Sequence, residues 1–252
     1  MGWLRKPRKP APARRSFAEL QALSPEQRRA AFAGKEGHGW IEAAALYGLV
    51  EAQVLLGQML LDRGDAALAL PWFKAAAGAG YAPARNMVGR CFEMGWGVEP
   101  DLAEAARHYR QAAELGLDWG QFNLANLLLY GLGAPRDRSE AFRWYMCAAQ
   151  QGHAKAMNML ARFHEEGWDR LRDPEQAAVW YRRAADAGDF RGQYNLATLL
   201  AEQGRRAEAL VWLNQALEHG SPDFLAQAGA ALRANGDPAF QAIGRCGKLV
   251  SI

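Results

Sequence analysis

A phrase of 36 residues written three times between Gly80 and Gly188 constrains this chain more than any other feature. The segments WFKAAAGAG, HYRQAAELG, WYMCAAQQG and WYRRAADAG close on Gly80, Gly116, Gly152 and Gly188, each 36 residues after the last. Self-similarity at such a period marks a repeat architecture. Each unit is a helix pair that cannot bury its own apolar face, so stacking on a neighbour completes the core. The expected fold is all-α, a right-handed α/α superhelix of stacked antiparallel helix pairs.

Aligning the first helix of each pair brings small residues together: Gly57, Gly89, Ala125, Ala161, Ala197 and, more weakly, Gly229. Small side chains recurring there predict a close helix crossing. Leu60, Phe92, Leu128, His164 and Leu200 follow three residues later, on the same helical face, and are assigned to the core. In the second helices the recurring pair is mostly aromatic: Trp72-Phe73, His108-Tyr109, Trp144-Tyr145, Trp180-Tyr181 and Trp212-Leu213. The alanine pairs after them form a complementary hollow, so both members of each pair are expected to pack in the core. The closing glycines suit the left-handed backbone at a helix end.

The loops GWGVEPDLAEAARHY, GLGAPRDRSEAFRWY and GWDRLRDPEQAAVWY set Asp101, Asp137 and Asp173 directly before the second helices. An aspartate there caps free backbone donors and meets the positive helix end. Together, the 36-residue period, the small-residue first helix, the GxGV-like loop with its aspartate and the WYxxAAxxG second helix resemble the Sel-one-like repeat family, abundant bacterial relatives of tetratricopeptide repeats. The resemblance covers about Glu51 to Gly220 strongly and reaches weakly to Ser24 and Phe240. It implies a tetratricopeptide-like solenoid, a non-enzymatic adaptor or scaffold role, and no cofactor. Two units depart from the pattern: their loops, at Arg63-Gly64-Asp65 and Gln203-Gly204-Arg205, are four residues shorter.

Related arrays grip peptides on the concave wall made by first helices. Projected by position, that wall carries Asn86, Phe122, Asn158 and Tyr194, then Arg90, Asn126, Arg162 and Thr198, then Met94, Tyr130, Glu166 and Glu202, with Lys155 and Arg191 near its edge. Amides can hold a peptide backbone, aromatics can take apolar side chains and arginines can receive acids. These residues suit a protein or peptide partner. Two alternatives stay open: a small-ligand or enzymatic pocket between Tyr130 and Glu166, and attachment to nucleic acid or anionic membrane through a basic tail.

That tail accounts for the charge. Residues 1–15 hold Arg5, Lys6, Arg8, Lys9, Arg14 and Arg15 and no acid, so a total of +3 leaves the rest of the chain at −3. An acidic body does not suit phosphate contacts along the repeats. The expected organisation is a basic, disordered tail over 1–22, a solenoid with degenerate caps over 23–245 and a short end over 246–252. Within it, a helical pattern starts near Ser16, Ser24 caps a helix, and KLVSI either folds back over the last unit or attaches to another chain. Cys91, Cys147 and Cys246 have neither CxxC spacing nor an even count, which predicts reduced thiols, no metal site and a cytoplasmic location. The stretch at the start lacks the apolar run of a secretory signal. No segment approaches the ~20 apolar residues of a membrane span.

The five histidines each occupy a position the repeat pattern explains. His164-Glu165-Glu166 lacks the HExxH spacing that sets two zinc ligands one turn apart. No phosphate-binding glycine motif and no nucleophile elbow is present.

Overall fold

The computed structural model describes residues 17–34 and 37–246. All regular structure among them is helical, and two helices form each repeat. α1 (Phe17–Gln21), α2 (Pro25–Ala33) and α3 (Gly37–Leu46) precede the pairs α4 (Val50–Asp62) with α5 (Ala66–Gly78) and α6 (Ala82–Met94) with α7 (Leu102–Glu114). Next come α8 (Asp118–Tyr130) with α9 (Arg138–Gln150), and α10 (Ala154–Glu166) with α11 (Pro174–Asp186). α12 (Phe190–Glu202) with α13 (Arg206–His219) and α14 (Pro222–Arg233) with α15 (Pro238–Cys246) complete the series. The chain forms two compact units, divided between Ala112 and Ala113. In each, consecutive helices pack as antiparallel neighbours across short turns.

Local chemistry sets the helix ends. Ser24 Oγ accepts from the Gln27 amide at 3.2 Å while Gln27 Oε1 accepts from the Ser24 amide at 2.8 Å, a reciprocal capping box. The loop aspartates cap as the sequence predicts: Asp101 accepts from the Glu104 amide at 3.0 Å, Asp137 from Glu140 at 2.7 Å and Asp173 from Gln176 at 2.9 Å. Gly188 shows why glycine closes each phrase. At φ +84° it lies in the left-handed region, and from there its own amide reaches Ala185 O at 3.0 Å and the next amide reaches Ala184 O at 3.0 Å. Gly80, Gly116 and Gly152 share that geometry.

Packing inside a pair depends on the small residue of the first helix. A Cβ on Gly57 would stand 2.6 Å from the Phe73 ring, and one on Gly89 would stand 2.7 Å from the Tyr109 ring. The second member of each aromatic pair is therefore the core residue: Phe73, Tyr109, Tyr145, Tyr181 and Leu213 are at most 1% exposed. Contrary to the expectation for both members, the first is half-buried at Trp72, His108, Trp144 and Trp212 and buried at Trp180. Adjacent residues on a helix point about 100° apart, so the two members cannot face the partner helix equally. His164 is likewise half-buried, edge-on to Phe142 with ring centres 6.0 Å apart.

A polar staple that the repeat pattern does not advertise joins neighbouring helices. Gln53, Gln121 and Gln193, all buried, donate from Nε2 to Ala45 O at 3.2 Å, Ala113 O at 3.3 Å and Ala185 O at 3.3 Å. Each satisfies a carbonyl near the end of the preceding second helix. Within the first 22 residues, α1 buries Leu20 at 1% exposure. Residues 1–16, with the six basic side chains, and KLVSI at 248–252 lie outside the described residues.

Candidate functional site

In the unit that begins at Ala113, the tyrosines of α9 and α11 gather the variable residues of α8 and α10. Tyr145 buries its ring and passes its hydroxyl to Asn126 Oδ1 at 2.6 Å. Burial raises this phenol's pKa well above its ordinary value; Tyr130 adds to the rise and Arg162 opposes it. One repeat on, Tyr181 donates to Glu165 Oε2 at 2.5 Å. Its pKa is also raised, first by burial and then by Glu165, with Arg162 opposing and Glu166 adding. Arg162 thus opposes the rise at both phenols, while Tyr130 adds to it at Tyr145 and Glu166 at Tyr181.

The Arg162 guanidinium lies 4.9 Å from the Trp168 ring centre, and Arg138 approaches the same indole at 5.8 Å. Stacking on an aromatic face leaves a guanidinium's N–H edges available to a carboxylate. Among the described residues no carboxylate forms an ion pair with Arg162. Tyr130, 57% exposed, and Leu132, 42% exposed, add apolar surface at the end of α8. The face thus carries a cation, a hydrogen-bonded amide, an exposed ring and an exposed acid at Glu166.

The other residues of the predicted wall are dispersed. Asn158 is buried and its Oδ1 accepts from Asn195 Nδ2 at 2.9 Å, so its amide serves the interior. Phe122 stacks on His153 at 4.7 Å, with Trp119 edge-on to that imidazole at 4.6 Å and Lys155 5.1 Å from the Trp119 ring centre. Tyr194 is half-buried, edge-on to Phe224 at 5.5 Å. Arg191 is exposed beside Phe190, 4.8 Å from its ring centre. In the first unit Asn86 is buried, whereas Arg90 lies 4.9 Å from the Trp96 ring centre.

The sequence reading left Tyr145 and Tyr181 as core, set Glu165 aside with His164 and Glu166 for lack of zinc-ligand spacing, and did not mark Trp168. A signal was present: Glu93 and Glu165 each precede, by 16 residues, the tyrosine whose hydroxyl they accept, Tyr109 and Tyr181. Among the described residues no group of three His, Cys, Asp or Glu is placed to hold a metal ion. No helix there is long and apolar enough to cross a membrane.

Stacked helix pairs with a polar, variable first-helix face define a helical-repeat interaction scaffold. Residues 41–81, 82–117, 120–153, 154–189 and 191–221 each match the Sel1 repeat, and the chain belongs to that family. A crystal structure of a Sel1 repeat protein from Oxalobacter formigenes superposes with a TM-score of 0.74 at 22% identity, covering 88% of this chain and 99% of that one. The structure of c5321, a protective antigen present in uropathogenic Escherichia coli strains displaying an SLR fold, gives a TM-score of 0.68 at 27% identity, covering 91% of this chain and 53% of that one. DAP3-binding cell death enhancer 1 of Rattus norvegicus is 35% identical over 89 residues, 34% of this chain and 18% of that relative. The chain therefore spans a small part of this curated relative's length. Sel1 and tetratricopeptide-like repeats are typical of adaptor scaffolds and are characteristically non-catalytic.

Proposed function

We propose that this protein is an adaptor that holds an extended segment of a partner protein on the first-helix face of α8 and α10. The observation that carries this reading is that Arg162 of α10, stacked on Trp168 and in no ion pair among the described residues, shares its helix with exposed Glu166, while α8 carries Asn126, held by the Tyr145 hydroxyl, and exposed Tyr130. These four vary between repeats while the residues beneath them recur, as expected where a shared scaffold carries an individual specificity. Phe122, Asn158, Arg191 and Tyr194 extend or brace that face, and Asn86 and Arg90 hold the corresponding positions in the first unit. A cytoplasmic setting is part of the proposal, supported by Cys91, a free thiol at 0% exposure in the repeat core.

The test is affinity capture of a partner followed by a binding measurement with both proteins purified. Tyr130→Ala with Arg162→Ala should weaken binding about tenfold or more, the loss of a central aromatic and an arginine anchor. An unchanged affinity in that double variant, with its melting temperature preserved, overturns the site.

A further inference from the structure

The loop after α10 departs from its counterparts at three consecutive positions. Aligned on the 36-residue period, Gly97 and Gly133 give way to Asp169, Val98 and Ala134 to Arg170, and Glu99 and Pro135 to Leu171. The backbone keeps its shape through the change: φ is +71° and +69° at the two glycines and +59° at Asp169, a left-handed conformation that costs a residue with a side chain steric strain. Val98 packs against the buried cluster of its own unit. Arg170 therefore sets a guanidinium where the other two loops set an apolar side chain.

Residues of α9 packed against this loop depart as well. Phe142 stands where the neighbouring repeats have Ala106 and Ala178, and Arg138 where the first unit has Leu102. Arg170 lies 3.3 Å from the Phe142 ring centre, while Arg138 and Arg162 lie 5.8 Å and 4.9 Å from that of Trp168. Phe163 joins the two rings, with its centre 5.5 Å from Phe142 and 5.3 Å from Trp168. The first unit repeats one of these stacks, Arg90 at 4.9 Å from the Trp96 ring centre, and has Leu102 and Val98 in place of the other two arginines.

The three guanidiniums lack counter-charge. Among the described residues none of Arg138, Arg162 and Arg170 forms an ion pair. The Nε atoms of Arg138 and Arg170 are buried and donate to no acceptor. Burial lowers the pKa of Arg170, and the acid that opposes this is its exposed neighbour Asp169. Stacking on a ring fixes the plane of a guanidinium and leaves its N–H edges to a carboxylate from outside. Beside them Leu171, 90% exposed, offers apolar contact.

We propose that Arg138, Arg162 and Arg170 receive the carboxylates of an acidic segment of the partner protein, with Leu171 taking an apolar side chain beside them. This rests on the reading of the α8–α10 face as the partner site and names the chemistry of what that face holds. Charge complementarity decides the occupant. A carboxylate pairs with a guanidinium through two parallel N–H···O bonds, whereas a basic segment is repelled. Nucleic acid is the poorer polyanion here, because the body of the chain beyond its first 15 residues is acidic.

The experiment uses the full chain and a fluorescein-labelled peptide of glutamates interrupted by leucines, followed by fluorescence anisotropy. Saturable binding is expected, weakened about tenfold or more in the double variant Arg138→Leu, Arg170→Val. Both replacements are native at the matching positions of the first unit, Leu102 and Val98, and thermal melts confirm that the variant folds. The same peptide with glutamines in place of glutamates should lose binding to the same degree, a comparison that needs no variant at all. Absence of saturable binding, equal affinity for the two peptides, or parental affinity in the double variant overturns the proposal. Phosphoserines in place of glutamates that bind more than tenfold tighter also overturn it, since the occupant is then a phosphopeptide. With a captured partner the two readings fail separately. Binding that Tyr130→Ala with Arg162→Ala weakens, and Arg138→Leu with Arg170→Val leaves at parental affinity, keeps the face and overturns the acidic assignment. Binding indifferent to Tyr130→Ala with Arg162→Ala overturns the face, and this proposal with it.

Discussion

The Tyr181 hydroxyl donates to Glu165 Oε2 at 2.5 Å and ties second helix α11 back to first helix α10. The ring fills the core while the oxygen reaches the face that carries the candidate site. Tyr109 makes the same bond to Glu93, and Tyr145 makes it to Asn126, three residues earlier in the first-helix frame. A single side chain thus couples repeat packing to the placement of polar groups at the surface.

Removing that oxygen tests the coupling. Tyr181→Phe should cost about 1–2 kcal/mol in urea unfolding, since a half-buried carboxylate loses a donor. Tyr145→Phe and Asn126→Ala should be non-additive by about 0.5–1.5 kcal/mol in a double-mutant cycle, where full additivity shows that the bond contributes nothing.

The close crossing at Gly89 predicts overpacking on substitution. Gly89→Ala places a carbon 2.7 Å from the Tyr109 ring and should lower stability by about 1–3 kcal/mol. Gly188→Ala meets no neighbouring atom within 4 Å but has φ +84°, so its cost, about 1–2 kcal/mol, is backbone strain. Denaturant midpoints of both variants check the expected losses.

His153 predicts a pH dependence. Its Nδ1 accepts from the Ala156 amide at 3.2 Å, capping α10, and this requires the neutral ring. Burial lowers its pKa below the ordinary 6.5, with Asp118 opposing and Lys155 adding to the decrease. The folded protein therefore binds fewer protons than the unfolded chain: the contribution is complete above about pH 6.5 and declines as pH falls through 6.5 toward the folded value. His108 and His164 shift in the same direction. The informative quantity is thus the difference between the parent and His153→Asn, a neutral cap whose unfolding midpoint should fall less between pH 7.5 and 5.5.

Burial also pushes the Cys91 thiol up to about 11, against the opposing charges of Arg90 and Lys74. Cys147 is half-buried. Brief iodoacetamide treatment near pH 8 should label Cys147 faster than Cys91 in the native protein, with the difference vanishing in denaturant; peptide mass spectrometry reads both sites.

Much of the scaffold was legible because its physics is local and periodic. A glycine that must adopt a left-handed turn, an aspartate that must cap and an alanine that must let helices meet each recur at fixed spacing. The site was half legible. Asn126, Tyr130, Arg162 and Glu166 could be chosen as the residues the pattern leaves free, but nothing in their spacing distinguished Arg162, stacked on Trp168, from Asn158, turned inward to Asn195. Helical periodicity locates a residue to within about a turn; which neighbour it meets depends on the angle at which the next pair packs.

By itself, then, the sequence determined the repeat, the helix pairs and their caps, since these follow from contacts between residues close in the chain. Tertiary structure alone decided that Tyr145 and Tyr181 carry their hydroxyls to the variable face, and that Leu20 of α1 packs with Ile41 and Leu56 in the first short-loop unit. Those outcomes rest on contacts between side chains of different helices, 16 and 19 residues apart for the two tyrosines, where shape and burial, rather than spacing, select the partner.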